Sequence, residues 1–183
     1  RTHRGCDANR AAVSAGAESK GQIKSNKNAV ERIVGFSGNN RDRLDTLIAA
    51  VTCDYFDGAI VDTLANADKV TVFAPTNYAF RKLGRALGIS GGLTPQNVCT
   101  LDQGTLQNVL LYHVFPNAKV WYKQAKALRG SSVTMALGVD AEIGGSGNHV
   151  TWAGGNVKVK NIRSKNGLVH VVDEVGLPPG LTS

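Results

Sequence analysis

Nowhere in this chain do about 18 apolar side chains run together, so no segment has the length of a membrane-spanning helix. The opening Arg1-Thr2-His3-Arg4 lacks the apolar core of a signal peptide. The chain as it stands is therefore expected to be soluble, with any targeting segment already removed. No Cys-x-x-Cys pair occurs, which excludes a zinc ribbon and a thioredoxin-like redox site. Aromatic residues make up only 6%, and zinc-finger spacing, an RNP-like run and a basic helix with heptads are all missing. Specific nucleic-acid binding is not expected. There is no Asn-x-Ser/Thr sequon, which fits a bacterial protein or an unglycosylated eukaryotic one and decides between neither.

What is present is ordinary for a globular protein: 183 residues, 42% hydrophobic and 19% charged. That length suits one domain with a sizeable core. The net charge of +7 is regional. Residues 1–40 carry seven basic and three acidic groups, residues 41–68 two and six, residues 69–129 eight and one, and the remainder four of each. Basicity of this kind favours a polyanion or an acidic surface, through counterion release.

The first forty residues mix Ala, Ser, Gly, Asn and Lys, and only Ala29-Val30-Glu31-Arg32-Ile33-Val34 hints at a helical turn. This stretch reads as a flexible basic arm, with the folded domain spanning 41–183. From Arg41 the spacing of Leu44, Leu47, Ile48 and Val51 predicts a helix, and a second runs over 56–65. Lys69 to Pro75 is a β-branched run ended by proline, a buried strand. Thr76 then caps a helix through Phe80, and Thr94-Pro95 has the form of another helix start. A further helix over 105–114 carries Leu106, Val109, Leu110 and His113 on one face.

After Pro116 the pattern changes to strands and turns, with strands expected over 119–122, 132–135, 139–143, 149–152, 157–162 and 168–175. Val157 and Val159 alternate with Lys158 and Lys160, giving one buried and one basic face. Asn166-Gly167 is a hairpin-type turn signal. Helices followed by strands, without regular alternation, argue for an α+β domain with antiparallel pairing. Three cysteines remain to be placed. Cys53 and Cys99 stand at element ends where a bridge has room, leaving Cys6 over; equally, all three could be small unpaired hydrophobes in a reducing compartment.

Three stretches together resemble the fasciclin (FAS1) domain family: Thr71 to Phe80, Leu110 to Pro116, and Asn166 to Asp173 ending at Leu177-Pro178-Pro179. The resemblance covers roughly residues 41–179 and is silent on 1–40. It implies a fasciclin-like α+β fold, a two-sheet β-wedge with flanking α-helices. It implies an extracellular, cell-surface or periplasmic module used in adhesion, and no enzyme. Some algal members bind carotenoids such as astaxanthin. Some bacterial and algal members carry cysteines where Cys53 and Cys99 fall, which implies a disulfide there. Such a bridge would close a loop of about 46 residues, worth roughly 3–4 kcal/mol.

Some fasciclin-like adhesion proteins engage integrins through a Tyr-His pair and an Asp-Ile pair. Tyr112 and His113 match the first, whereas Asn161 and Ile162 stand where Asp-Ile would be, and no Arg-Gly-Asp occurs. The missing carboxylate argues against integrin binding. The physics of the motifs favours structural roles for Thr76 as a helix cap and for His113 and His170 as buried, hydrogen-bonded groups.

Catalytic patterns fail on context. Gly88-Ile89-Ser90-Gly91-Gly92 satisfies G-x-S-x-G, but a helix precedes it where a nucleophile elbow needs a strand. The four histidines show no metal-binding spacing, and Asp173 and Glu174 adjoin on a strand and point to opposite faces. No catalytic residue, metal site or required cofactor is expected. Two functions remain. The first is adhesion or matrix interaction, with Lys119, Lys123, Lys126, Arg129, Lys158 and Lys160 meeting an extracellular protein or anionic polysaccharide. The alternative is a water-soluble carrier of an apolar small molecule such as a carotenoid, lined by Val120, Trp121, Tyr122, Ile143, Trp152 and Ile162.

Overall fold

The computed structural model describes residues 26–36 and 42–179. Six helices precede or interleave with seven strands among these residues: α1 (Ala29–Val34), α2 (Asp45–Val51), α3 (Ala59–Asn66), β1 (Val70–Pro75), α4 (Asn77–Ala86), α5 (Gln103–Tyr112), β2 (Val114–Pro116), α6 (Tyr122–Ala127), β3 (Ser131–Thr134), β4 (Asp140–Gly144), β5 (Thr151–Trp152), β6 (Gly155–Arg163) and β7 (Gly167–Val172).

The strands join in the order β2-β1-β7-β6-β5-β4-β3. β7, last in the chain, inserts between β1 and β6 and runs parallel to β1, from Val70 opposite Gly167 to Pro75 opposite Val172. The expectation of antiparallel pairing is therefore corrected: the sheet is mixed. β1 and β7 are buried along all six residues each, which is why both read as continuous apolar runs rather than alternating ones. The nine-residue β6 pairs with β7 on one side and β5 on the other, so it belongs to both halves of the two-sheet wedge.

Two register shifts interrupt β6, between Val157 and Val159 and between Val159 and Ile162. Each bulge inserts a residue and changes which face its neighbours present. Val157 accordingly packs toward one core and Val159 and Ile162 toward the other, while Lys158 and Lys160 stay exposed between part-buried valines, as the alternation predicts. The larger core lies under α1–α5, around Leu47, Ile60, Val72, Phe80, Leu106 and Val171. The smaller is built from Phe73, Tyr112, Met135, Ile143 and Trp152.

The flexible-arm expectation for residues 1–40 is corrected over 26–36, and the other residues of that stretch lie outside the described residues. The Asn28 side chain accepts the Glu31 N–H at 2.9 Å, and the Glu31 carboxylate accepts the Asn28 N–H at 2.7 Å. Six residues make too short a helix to persist alone, so α1 depends on burying Ala29 and Ile33 in the larger core. Two further expectations differ. The strand over 119–122 is instead a connection ending in α6, whose first turn forms because Gln124 accepts the Trp121 N–H. Thr94-Pro95 opens a turn and a short 3-10 segment, Val98–Thr100, because Asn97 accepts the Thr94 N–H and pulls the chain back. The bridge between Cys53 and Cys99 is formed, tying the end of α2 to that segment.

Candidate functional site

Thr76 Oγ1 accepts the Ala79 N–H and starts α4, while the next residue, Asn77, accepts the Thr46 N–H at 2.8 Å and joins α4 to α2. Arg43 hydrogen-bonds Asp45 beside this junction and holds its carboxyl below the usual range. The first family-like motif thus serves as a structural junction, capping α4 and tying it to α2.

The second motif ends inside the protein. His113 is 2% exposed and Tyr112 is 4% exposed. The Tyr112 hydroxyl donates to the Asp140 carbonyl at 3.0 Å, linking α5 to β4. Burial raises its pKa. His113 accepts the Gly176 N–H on Nε2, so its Nδ1 carries the proton and donates to the Val109 carbonyl. Burial pushes this imidazole down to about 4, against the smaller opposing effect of the Val109 carbonyl. Trp152 packs on both rings and stacks on Phe73 at 4.9 Å between centroids. With both nitrogens committed, His113 has no free lone pair for proton transfer or a metal. Tyr112 and His113 are out of reach of a receptor, which corrects their candidacy as adhesion contacts.

Asn161 occupies a left-handed conformation, φ 57°, at the second bulge of β6. Its side-chain oxygen accepts the Tyr122 N–H at 2.8 Å, and its own N–H donates to His170 Nδ1 at 3.1 Å. His170 Nε2 consequently carries the proton and donates to the Val120 carbonyl at 2.7 Å. Burial lowers the His170 pKa. Asn161 is therefore a clamp holding the 120–122 connection onto β6 and β7, and Ile162 beside it packs against the larger core.

Of the residues nominated to line an apolar ligand groove, Val120, Ile143 and Trp152 are core, because the β4–β5 register sets Ile143 opposite Trp152 on the inward face. Trp121 and Tyr122 are half-buried and engage cations: Arg163 lies 5.1 Å from the Trp121 ring centre and Lys160 4.3 Å from that of Tyr122. None of these residues, nor Ile162, lines the two apolar cavities described next. A cavity of about 110 Å³ lies beneath α1, walled by aliphatic side chains of α1, α2, α3, β1 and α5, among them Ile33, Ile48, Ile60, Val72 and Leu110. A second, of about 230 Å³, lies between α4 and α5, lined by Phe80, Leu83, Leu87, Leu106 and Val109.

The basic residues are only partly assembled. Lys126 and Arg129 hydrogen-bond the 147–149 loop, and Lys160 and Arg163 flank α6 from β6. Arg163 was not among the sequence candidates; a count of strand alternation misses it because the bulges change the phase. Sequence reasoning also missed the Asn166 side chain, which accepts the Ala29 N–H and donates to the Leu64 and Ala67 carbonyls, all at 2.9 Å. The Asn28-x-x-Glu31 capping box was the available signal for α1. Among the described residues no group of His, Cys, Asp and Glu could hold a metal ion, and no helix is long and apolar enough to cross a membrane.

A fasciclin domain family model matches residues 42–178. Immunogenic protein MPT70 of Mycobacterium tuberculosis is 32% identical over 152 residues, covering 80% of this chain and 69% of that protein. Cell surface glycolipoprotein MPB83 of Mycobacterium bovis is 30% identical over 148 residues, covering 80% of this chain and 60% of its own length. A solved FAS1 domain pair from the insect cell adhesion molecule fasciclin I superposes with a TM-score of 0.61 at 13% identity, covering 84% of this chain and 51% of that one. At that identity the likeness speaks for the fold.

Proposed function

The chain belongs to the fasciclin domain family, and from that premise we propose that it is a binding module for adhesion or extracellular-matrix interaction, acting outside the cell, at its surface or in a periplasm. The observation that carries this is the family match over residues 42–178, on a fold whose buried histidines and tyrosine are spent on structure. A relative that is a cell surface glycolipoprotein supports the location. The partner is an extracellular protein or an anionic polysaccharide, and the proposal assigns no catalytic step and no required cofactor. Immobilised native chain should retain cells or isolated matrix, whereas the reduced and denatured chain should not. Equal retention by both would sink the proposal.

A second reading rests on the cavity beneath α1. Its aliphatic walls suit an apolar small molecule such as a carotenoid. At about 110 Å³ it is smaller than the roughly 300–1,000 Å³ of ordinary ligand pockets, so a long polyene needs α1 displaced. Mixing with astaxanthin should then give a soluble coloured complex with a shifted visible spectrum. Free pigment on gel filtration and an unchanged spectrum would end this reading.

A further inference from the structure

Arg163, Lys160, Lys126 and Arg129 form a connected row. Arg163 lies over the Trp121 ring and Lys160 over that of its neighbour Tyr122. The Tyr122 hydroxyl donates to the Asn148 carbonyl at 2.7 Å, and Lys126 donates to the Asn148 side chain at 3.1 Å. Arg129 donates to Gly147 in the same loop at 2.7 Å. The Asn161 clamp fixes this arrangement by holding Tyr122 against β6. None of the four cations forms an ion pair with a carboxylate among the described residues.

We propose that this row is the docking surface for a linear anionic polysaccharide, sulfated or carboxylated; the proposal rests on the extracellular binding role above. Cations seated on aromatic rings are already oriented, so less side-chain entropy is lost when a polyanion binds. Guanidinium forks and ammonium groups match sulfate and carboxylate oxygens, and binding releases the counterions condensed on the chain. Two other polyanions fit less well. The Trp121 and Tyr122 rings are covered by cations and offer no open stacking platform for bases. Among the described residues the exposed large apolar side chains are Val34, Tyr78 and Leu87, away from this face, whose Trp121 and Tyr122 are half-buried beneath Arg163 and Lys160, so it offers little apolar surface to a bilayer.

The test is affinity for immobilised heparin and hyaluronan at about 150 mM NaCl, with single-stranded DNA and phosphatidylserine vesicles as competitors. The wild-type chain should bind at least one polysaccharide with a steep salt dependence. The double variant Lys160→Ala/Arg163→Ala should lose about tenfold or more, while Arg81→Ala/Arg85→Ala on α4, an equal change in charge, should lose less than about threefold. Lys160→Arg/Arg163→Lys should restore most of the binding. Circular dichroism of each variant checks the fold. Equal losses in the two alanine pairs, no polysaccharide binding, or tighter binding to DNA or vesicles would overturn the site. Matrix retention run in parallel separates the two ideas: a Lys160→Ala/Arg163→Ala chain that keeps its polysaccharide affinity and still adheres refutes the docking surface and leaves adhesion standing. Wild-type chain that binds heparin yet retains no matrix refutes adhesion instead.

Discussion

The Gly176 backbone N–H donates to Nε2 of His113 across 2.9 Å, and the opposite ring nitrogen donates to the Val109 carbonyl across 2.6 Å. The imidazole thus splices the segment after β7 to the last turn of α5, and only its neutral form can do so. Protonation would set an N–H against the Gly176 N–H inside a core where Trp152 excludes water.

A pH dependence of stability follows from that geometry. Folded His113 titrates at about 4, while an unfolded histidine takes up its proton near 6.5. Its contribution is complete above the unfolded value and is lost as the pH falls from 6.5 toward 4, at about 1.4 kcal/mol per pH unit. The lowered His170 acts in the same direction. Urea unfolding midpoints should fall steadily across this window, and His113→Gln, weaker at neutral pH, should show a shallower decline. A midpoint that is flat from neutral to pH about 4.5 would refute the neutral, buried ring.

Asn166→Ala should uncouple α1. The change strands the Ala29 N–H and the Leu64 and Ala67 carbonyls, at a position only 8% exposed. The expected cost is about 2–4 kcal/mol, since each buried group left unpaired costs about 1–3. Asn166→Asp keeps the acceptor for Ala29 but loses both donations. Amide hydrogen exchange over residues 29–34 should quicken strongly in the alanine variant and less in the aspartate variant. Unchanged protection in both would show that α1 is held by its apolar contacts alone.

Removing the Cys53–Cys99 bridge through Cys53→Ser/Cys99→Ser should lower stability by roughly 3–4 kcal/mol, because the loop it closes spans a sequence separation of 46. Denaturant unfolding of the variant beside the oxidised wild type measures this directly. A loss under about 1 kcal/mol would mean that the unfolded chain is already compact between the two sites.

The element list was largely legible because β1, α4 and α5 carry strong local patterns: a β-branched run closed by Pro75, the Thr76 cap, and the Leu106, Val109, Leu110 stripe. What was not legible depends on long-range register. Nothing local to Gly167 says that β7 lies parallel to β1, and the two bulges that turn Lys160 and Arg163 toward α6 leave no mark in a pattern of alternating Val and Lys. Burial of His113 was foreseeable from the apolar face of α5, whereas Tyr112 lies off that face in the smaller core, and an adhesive role for the pair came from resemblance and did not survive their packing.

Gly167 is where sequence and register meet. Asn166-Gly167 does mark the turn into β7, yet neither residue has a positive φ, so backbone freedom does not explain the glycine. Its reason is proximity: a Cβ there would overlap the Val70 carbonyl oxygen of the parallel neighbour β1 and press on the Val70 side chain. Gly167→Ala must force β1 and β7 apart where their pairing begins, and a loss of about 3 kcal/mol or more is expected, at the upper end of overpacking costs. Gly138→Ala provides the contrast, since Gly138 has φ 87° but open space around it, and conformational strain alone should cost about 1 kcal/mol. Comparing urea midpoints of the two variants separates crowding from backbone strain. Equal and small losses would mean that the β1–β7 approach relaxes freely and that the glycine is dispensable.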